Sequence, residues 1–316
     1  MCYSAQIRAE YQKFTRHYGA TIDLEEYVRL YWERADGVKI KTPRALDLAL
    51  REAPGEQGRR LRELIEQYDR EQEMALEQEL FRQRKRRADA ERSLKTRVTK
   101  KAQEDLRISN ANVARIKARL AALARSEPTA EDARIYPGMH APVMIREGGR
   151  RVVRPMRYQC RPAGKSALFD RKYPGTYNAR RDSLGGFWKD QFTHSHGVLV
   201  IGAFYENVRR PDPDAPLDGR GRNVVLEFRP DPPQDMLVAC LWSRWRAPGV
   251  TDLLSFAAIT DDPPPEIAAA GHDRCIVPVR PERLDEWLEP DPAAPEAQYA
   301  ILDDRERPYY RNRVAA

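Results

Sequence analysis

Apolar and polar positions follow three rhythms along this chain, and the changes of rhythm divide it. Over residues 5–35 the apolar positions Tyr11, Phe14, Tyr18, Leu24, Tyr27, Leu30 and Tyr31 recur every three or four residues, which predicts short helices near the start. Residues 56–126 keep helical spacing but change composition. The block has no Pro and one Gly, Gly58, and is dominated by Glu, Arg, Lys, Gln, Ala and Leu, all good helix formers. Its apolar stripe runs through Leu61, Ile65, Tyr68 and Ala75, then Leu94, Val98 and Ala102, then Val113, Ile116, Leu120 and Leu123. A stripe this thin predicts a long helical hairpin or coiled-coil-like arm. Ser109-Asn110-Ala111-Asn112 is its expected break, because Ser and Asn side chains compete for helix hydrogen bonds. Ser126-Glu127-Pro128 ends it.

Downstream the rhythm becomes that of strands. Residues 142–153 read as strand, Gly148-Gly149 turn, strand, and residues 196–206 as an apolar strand closing on Glu206. Residues 224–228, 236–242 and 253–260 add further strands, Pro211–Asp214 and Asp261–Pro265 read as loops, and Pro281–Leu288 as a last helix. Many short strands around few helices imply an α+β fold with a curled or barrel-like, mainly antiparallel sheet. The expected organisation is one domain, residues 1–55 and 127–316, with the arm 56–126 inserted in it.

Charge sharpens the division. The arm holds 19 Lys and Arg against 12 Asp and Glu, an excess equal to the +7 of the whole chain. Residues 82–101 alone carry ten basic and two acidic residues. Such a face is either simply solvated, a tether for nucleic-acid phosphates through Lys95, Lys100 and Lys101, or a homodimerising surface. No run of 18 apolar residues is present, so no membrane span is expected. The start lacks an apolar signal segment, and Cys2, Cys160, Cys240 and Cys275 lie far apart, which fits a reduced cytoplasmic setting, nucleoid-associated in a bacterium. No GxxxxGK[ST], GxGxxG or HExxH motif occurs. His194 and His196 lack an evident third ligand, so neither a metal nor a cofactor is implied.

Met1-Cys2 is the most pointed chemical feature. Removal of Met1 would leave an amine and a thiol on adjacent carbons. Such a 1,2-aminothiol condenses with an aldehyde to a five-membered thiazolidine, or acts as an N-terminal nucleophile.

Four segments, in order, resemble one family. They are Met1-Cys2; Asn178-Ala179-Arg180-Arg181-Asp182-Ser183; Gly202-Ala203-Phe204-Tyr205-Glu206; and His272-Asp273-Arg274-Cys275-Ile276-Val277, followed by Glu286-Trp287-Leu288. Ile135-Tyr136-Pro137-Gly138 adds a weaker similarity upstream. The family is SRAP, the SOS response-associated peptidases, whose members crosslink to abasic sites in single-stranded DNA. The resemblance spans roughly residues 1–40 and 130–290.

It implies single-stranded DNA with abasic sites as partner and Cys2 as nucleophile, with Met1 removed autocatalytically. Glu206 is implied as acid and base, and the end of an apolar strand suits a carboxyl that must hold a proton near neutrality. His272 is implied as a second proton-transfer group, Asn178 as the residue positioning Cys2, and Arg180 and Arg181 as phosphate contacts. The chain departs from the pattern at Tyr3 and Ser4, where the family has Gly-Arg, and at Asn207 in place of Trp. Met156-Arg157-Tyr158-Gln159 stands where the family has Trp-Gly, with Tyr158 the expected substitute for base stacking. Two other classes remain open: a Cys-dependent peptidase or amidohydrolase using Cys2, His272 and Asn178, and a non-enzymatic coiled-coil DNA-binding or scaffold protein.

Overall fold

The computed structural model describes residues 4–210 and 222–315. Its strands are β1 (Ser4–Ile7), β2 (Thr21–Ile22), β3 (Arg134–Ile135), β4 (His140–Glu147), β5 (Arg150–Tyr158), β6 (Asn178–Arg180), β7 (His196–Arg210), β8 (Arg222–Asp231), β9 (Met236–Ala247), β10 (Val250–Asp261), β11 (Cys275–Ile276) and β12 (Tyr309–Val314). The helices are α1 (Tyr11–His17), α2 (Leu24–Ala35), α3 (Arg44–Arg51), α4 (Gly55–Thr96), α5 (Lys100–Ala124), α6 (Phe169–Lys172), α7 (Lys189–Phe192), α8 (Pro265–Ala269), α9 (Leu284–Leu288) and α10 (Pro295–Asp303).

Five strands close on themselves. β4 pairs with β5, β5 with β10, β10 with β9, β9 with β7, and β7 with β4. All but the β5–β10 pair are antiparallel. The hairpin β4–β5 turns at Gly148 and Gly149, both at positive φ (56° and 75°), as a two-residue turn matching the strand twist requires. Val143, Met144, Val153, Met156, Phe256, Leu241 and Val198 are fully buried in this sheet.

β7 is longer than the sequence pattern implied, and its second half leaves the ring. There it pairs with β1 on one edge and β8 on the other, while β3 extends the β1 side and β12 the β8 side. Residues 4–7 are therefore strand, where helical spacing over residues 5–35 pointed to helix. Four residues are too few to show a period, and pairing with β7 buries Ala5 and Ile7.

The arm is a helical hairpin, but it turns at Arg97-Val98-Thr99 and not at Ser109–Asn112. Arg97 is extended, and Thr99 caps α5 by accepting from the Ala102 N–H. Ser109 instead satisfies its hydroxyl within α5, on the Leu106 carbonyl at 3.1 Å. The hairpin is rooted by Leu61 and Ile65, both fully buried, and by Asp69, which binds Arg44 and Arg51. Arg34 lies between the Tyr31 and Tyr68 rings at 4.2 and 4.1 Å. Beyond Leu76 the hairpin continues to Thr96, a projection of about 30 Å.

Candidate active site

The site lies where β7 changes partners. Gly202 sits at that change, and the register of β1 shifts there: Gln6 faces Ala203 while Ile7 faces Ile201. The Arg8 guanidinium, held by Asp235 at 2.7 Å, covers Gly202 so closely that a Cβ would meet Arg8 Nη2 at 2.7 Å. Past this point Phe204 and Glu206 point to the same face. Phe204 stacks on Phe228 and meets the edge of Tyr310, which covers that face with apolar surface.

Glu206 is 1% exposed and faces His272, whose Nε2 lies 3.2 Å from Glu206 Oε2. His272 stands between α8 and β11. Its Nδ1 is 3.0 Å from the Arg274 carbonyl oxygen and also accepts from the Arg274 N–H at 3.3 Å. Burial holds the imidazole below its ordinary pKa, so at neutral pH it is neutral. The neutral ring uses Arg274 N–H as donor to Nδ1 and presents Nε2–H to the carboxylate. The protonated ring donates to the Arg274 carbonyl instead. One peptide unit on each side of Arg274 thus serves each protonation state without a change of rotamer.

Cys275, two residues along from Asp273, lies close enough to Glu206 to feel its charge. Burial first, then Glu206, pushes the thiol well above its ordinary range, and Tyr310 shares a hydrogen bond with it. Cys275 is therefore a protonated, inert thiol at physiological pH.

Asn178 starts β6, which runs parallel to β10 with Asn178 beside Ala258. Its side chain shares a face with that of Thr260, two residues along β10. Both residues are buried, and among the described residues neither the Asn178 amide atoms nor Thr260 Oγ1 has a hydrogen-bond partner. β11 pairs with the same stretch of β10, Thr260 opposite Ile276. The topology thus brings β6 and the segment bearing His272 to one end of β10.

Cys2 lies outside the described residues, which begin at Ser4. Ser4 is opposite Tyr205, the neighbour of Glu206. It is fully buried and accepts from Arg134 Nε at 2.9 Å. Arg134 in turn lies over the Tyr205 ring at 3.8 Å and near Tyr136 at 5.0 Å. Sequence reasoning missed Arg134 and Thr260. The available signal was a basic residue immediately before Ile135-Tyr136-Pro137, in a chain whose fourth residue is Ser in place of Arg.

Among the proposed DNA contacts, Arg180 is exposed and pairs with Asp182 at 3.1 Å. Arg181 was expected to face phosphate, but its guanidinium is tied to Asp303 at 2.5 Å and Asp261 at 3.7 Å, over Tyr299. It anchors α10 to the sheet. Tyr158 was expected to stack on a base, but it is 2% exposed and stacks on Phe256 with its edge to Tyr177. A ring this deeply buried cannot receive a base. Lys95, Lys100 and Lys101 are exposed at the arm's tip, far from Glu206 along the chain. His196 is a structural histidine, its two ring nitrogens each 2.7 Å from a carbonyl oxygen, of Trp287 and of Phe192.

A curled, mainly antiparallel sheet with a buried carboxylate–imidazole pair beside the strand that receives residue 4 defines the class of this protein. The chain belongs to the SOS response associated peptidase (SRAP) family, whose model matches residues 95–314. That match takes in Asn178, Glu206 and His272, and leaves Cys2 outside it. Membership connects the chain with the SOS response to DNA damage. Similar solved structures include a protein from Bordetella bronchiseptica, with 18% identity over 58% of this chain and 87% of that one and a TM-score of 0.46. A protein from Bacteroides thetaiotaomicron has 13% identity over 58% and 77%, with a TM-score of 0.47. A phage-related protein from Bordetella bronchiseptica has 21% identity over 58% and 80%, with a TM-score of 0.42. No curated protein matches the chain. Among the described residues no helix is long and apolar enough to cross a membrane.

Proposed function

We propose that this protein traps abasic sites in single-stranded DNA covalently through Cys2, after removal of Met1. The Cys2 amine adds to the C1′ aldehyde of the opened deoxyribose. Glu206 takes a proton from the amine and returns one to the departing hydroxyl, so that water leaves and an imine forms. The Cys2 thiol then adds across the C=N bond, its proton going to the nitrogen, and the thiazolidine closes. His272 holds and relays the proton that Glu206 exchanges. Asn178 positions Cys2, with Thr260 beside it.

The observation carrying this reading is the Glu206–His272 pair, buried one residue from Ser4's partner Tyr205. Two residues of chain reach at most about 7 Å, so Cys2 is tethered within that distance of Ser4. The unpartnered Asn178 amide supports a polar neighbour there. Arg180 is the phosphate contact at the site. Lys95, Lys100 and Lys101 add a tether at the arm's tip, and neutralising all three is expected to lower the salt slope of DNA binding.

Intact mass spectrometry tests the chemistry. Protein lacking Met1 is incubated with single-stranded DNA carrying one abasic site, with Cys2→Ala as control. A gain of the DNA mass minus water, absent from the variant, is expected. A correctly processed protein that forms no adduct overturns the proposal and moves the hydrolase and scaffold readings ahead.

A further inference from the structure

The charges of α4 are segregated. From Arg62 to Glu79 there are seven acidic and two basic residues, whereas Arg82 to Lys101, which continues into α5, has ten basic and two acidic. Phe81 stands at the boundary, 72% exposed on a helix that already has α5 as its partner. An exposed Phe by itself implies nothing. The residues around it are what matter.

On a helix surface the neighbours of position 81 are those three and four residues away. Toward the root these are Glu77 and Gln78, and toward the tip Arg84 and Lys85, all exposed. One heptad out in each direction lie Met74, 56% exposed, and Ala88, also exposed. Neither Glu77, Arg84 nor Lys85 has an ion-pair partner among the described residues, although neighbouring charges do, as in Arg82 with Glu79 and Arg86 with Asp105.

This patch is complementary to itself when inverted. Place the Phe81 rings of two antiparallel α4 helices at a two-fold axis, and each residue beyond Phe81 faces one equally far before it. Glu77 then meets Lys85 of the second copy, Gln78 meets Arg84, and Met74 meets Ala88. Farther out the same rule sets Glu71 against Glu91 and Arg70 against Arg92, so the complementary contact is confined to residues 74–88. In a parallel pairing the same residues would meet their own like charges. A nucleic acid would be repelled by the acidic half and would leave Phe81 and Met74 unused.

We infer that the arm is a homodimerisation surface, with a second copy of this chain docking antiparallel through a Phe81-centred contact. The apolar contact is small, and the ion pairs are exposed. The dimer is therefore weak and salt-sensitive.

Sedimentation equilibrium of the full chain without DNA, at about 0.05 M and about 0.5 M salt, tests this. The expected result is a reversible dimer at low salt that dissociates at high salt. Phe81→Glu abolishes it. Glu77→Lys and Lys85→Glu each bring two like-charged pairs together and weaken it about tenfold. The double variant exchanges the charges and restores affinity to within about threefold. These positions are exposed, so unchanged helicity by circular dichroism confirms folded variants. A monomer at every salt and concentration overturns the inference. So does a Phe81→Glu dimer of full strength, or a double variant as weak as the singles. Association appearing only when DNA is added also overturns it.

Discussion

His272 Nε2 lies 3.2 Å from Glu206 Oε2, and both side chains are almost wholly buried. Glu206 follows Tyr205, the β7 residue paired with Ser4 at the start of the described chain, and His272 reaches it from the segment between α8 and β11. Arg274 supplies a backbone partner to Nδ1 in either protonation state, so the imidazole can take up or release a proton in place. Glu206→Gln keeps the shape but removes the base. Trapping by this variant is expected to slow about 10²–10³-fold with DNA affinity unchanged, measured as single-turnover adduct formation beside fluorescence-anisotropy binding. An unaltered rate would remove Glu206 from the chemistry.

Arg134 is a positioning residue. It holds Ser4 and stacks on Tyr205, and touches no part of the proposed reaction. Arg134→Ala is expected to cost about 1–3 kcal/mol of stability and to slow trapping without weakening DNA binding. Arg134→Lys should fall between, since an ammonium cannot both stack broadly and keep the fixed bond to Ser4. A variant that loses stability but traps at the wild-type rate would reduce Arg134 to a structural part.

Gly58 is the one glycine of the arm block, and its packing explains it. A Cβ there would sit 1.9 Å from the Ala53 carbonyl oxygen, which is backbone and cannot move aside alone. Gly58→Ala gains about 1 kcal/mol of helix propensity, and that gain is outweighed by displacement of α4 from its root. A net loss of about 2 kcal/mol in denaturant unfolding is expected, where an exposed helical Gly→Ala would stabilise.

His140 links stability to pH. Burial, and then the nearby Arg157, lower its pKa from 6.5 to about 4. Between those values the unfolded chain binds a proton that the folded chain refuses. Its contribution is thus complete above about pH 6.5 and is lost as pH falls toward about 4, in total about 3 kcal/mol. Urea midpoints measured at about pH 7 and about pH 5 should differ more for the wild type than for His140→Gln. Equal slopes would show that the ring titrates elsewhere.

The sequence carried much of this because several signals were local. The Gly148-Gly149 turn, the apolar run into Glu206 and the Pro-free arm each show in a few consecutive residues, and each corresponds to an observed element. Asn178, Glu206 and His272 could be singled out because each sits in a short run of family-like residues. What stayed hidden was non-local. β1 is strand only because β7 and β3 receive it, and its four residues are too few to show a period. Tyr158 looked available because its neighbours Phe256 and Tyr177 are distant in sequence. Arg181 looked free because Asp261 and Asp303 are. The hairpin turns at Thr99, where a cap is satisfied, while Ser109 finds its bond inside the helix, and composition does not distinguish these two outcomes.

The arm also bears on how the chain assembles. β1 must find β3 across the whole of the helical block, a long loop to close. α4 and α5 pack on each other through contacts near in sequence, the kind that form early. Once folded, they bring Gly55 and Ala124 to one end of the hairpin, where Arg44 reaches the Leu123 carbonyl at 2.8 Å. The loop still to be closed is then roughly halved, which saves about 0.6 kcal/mol of chain entropy. The arm thereby acts as a staple that shortens the search by which the first strand finds its place beside Glu206.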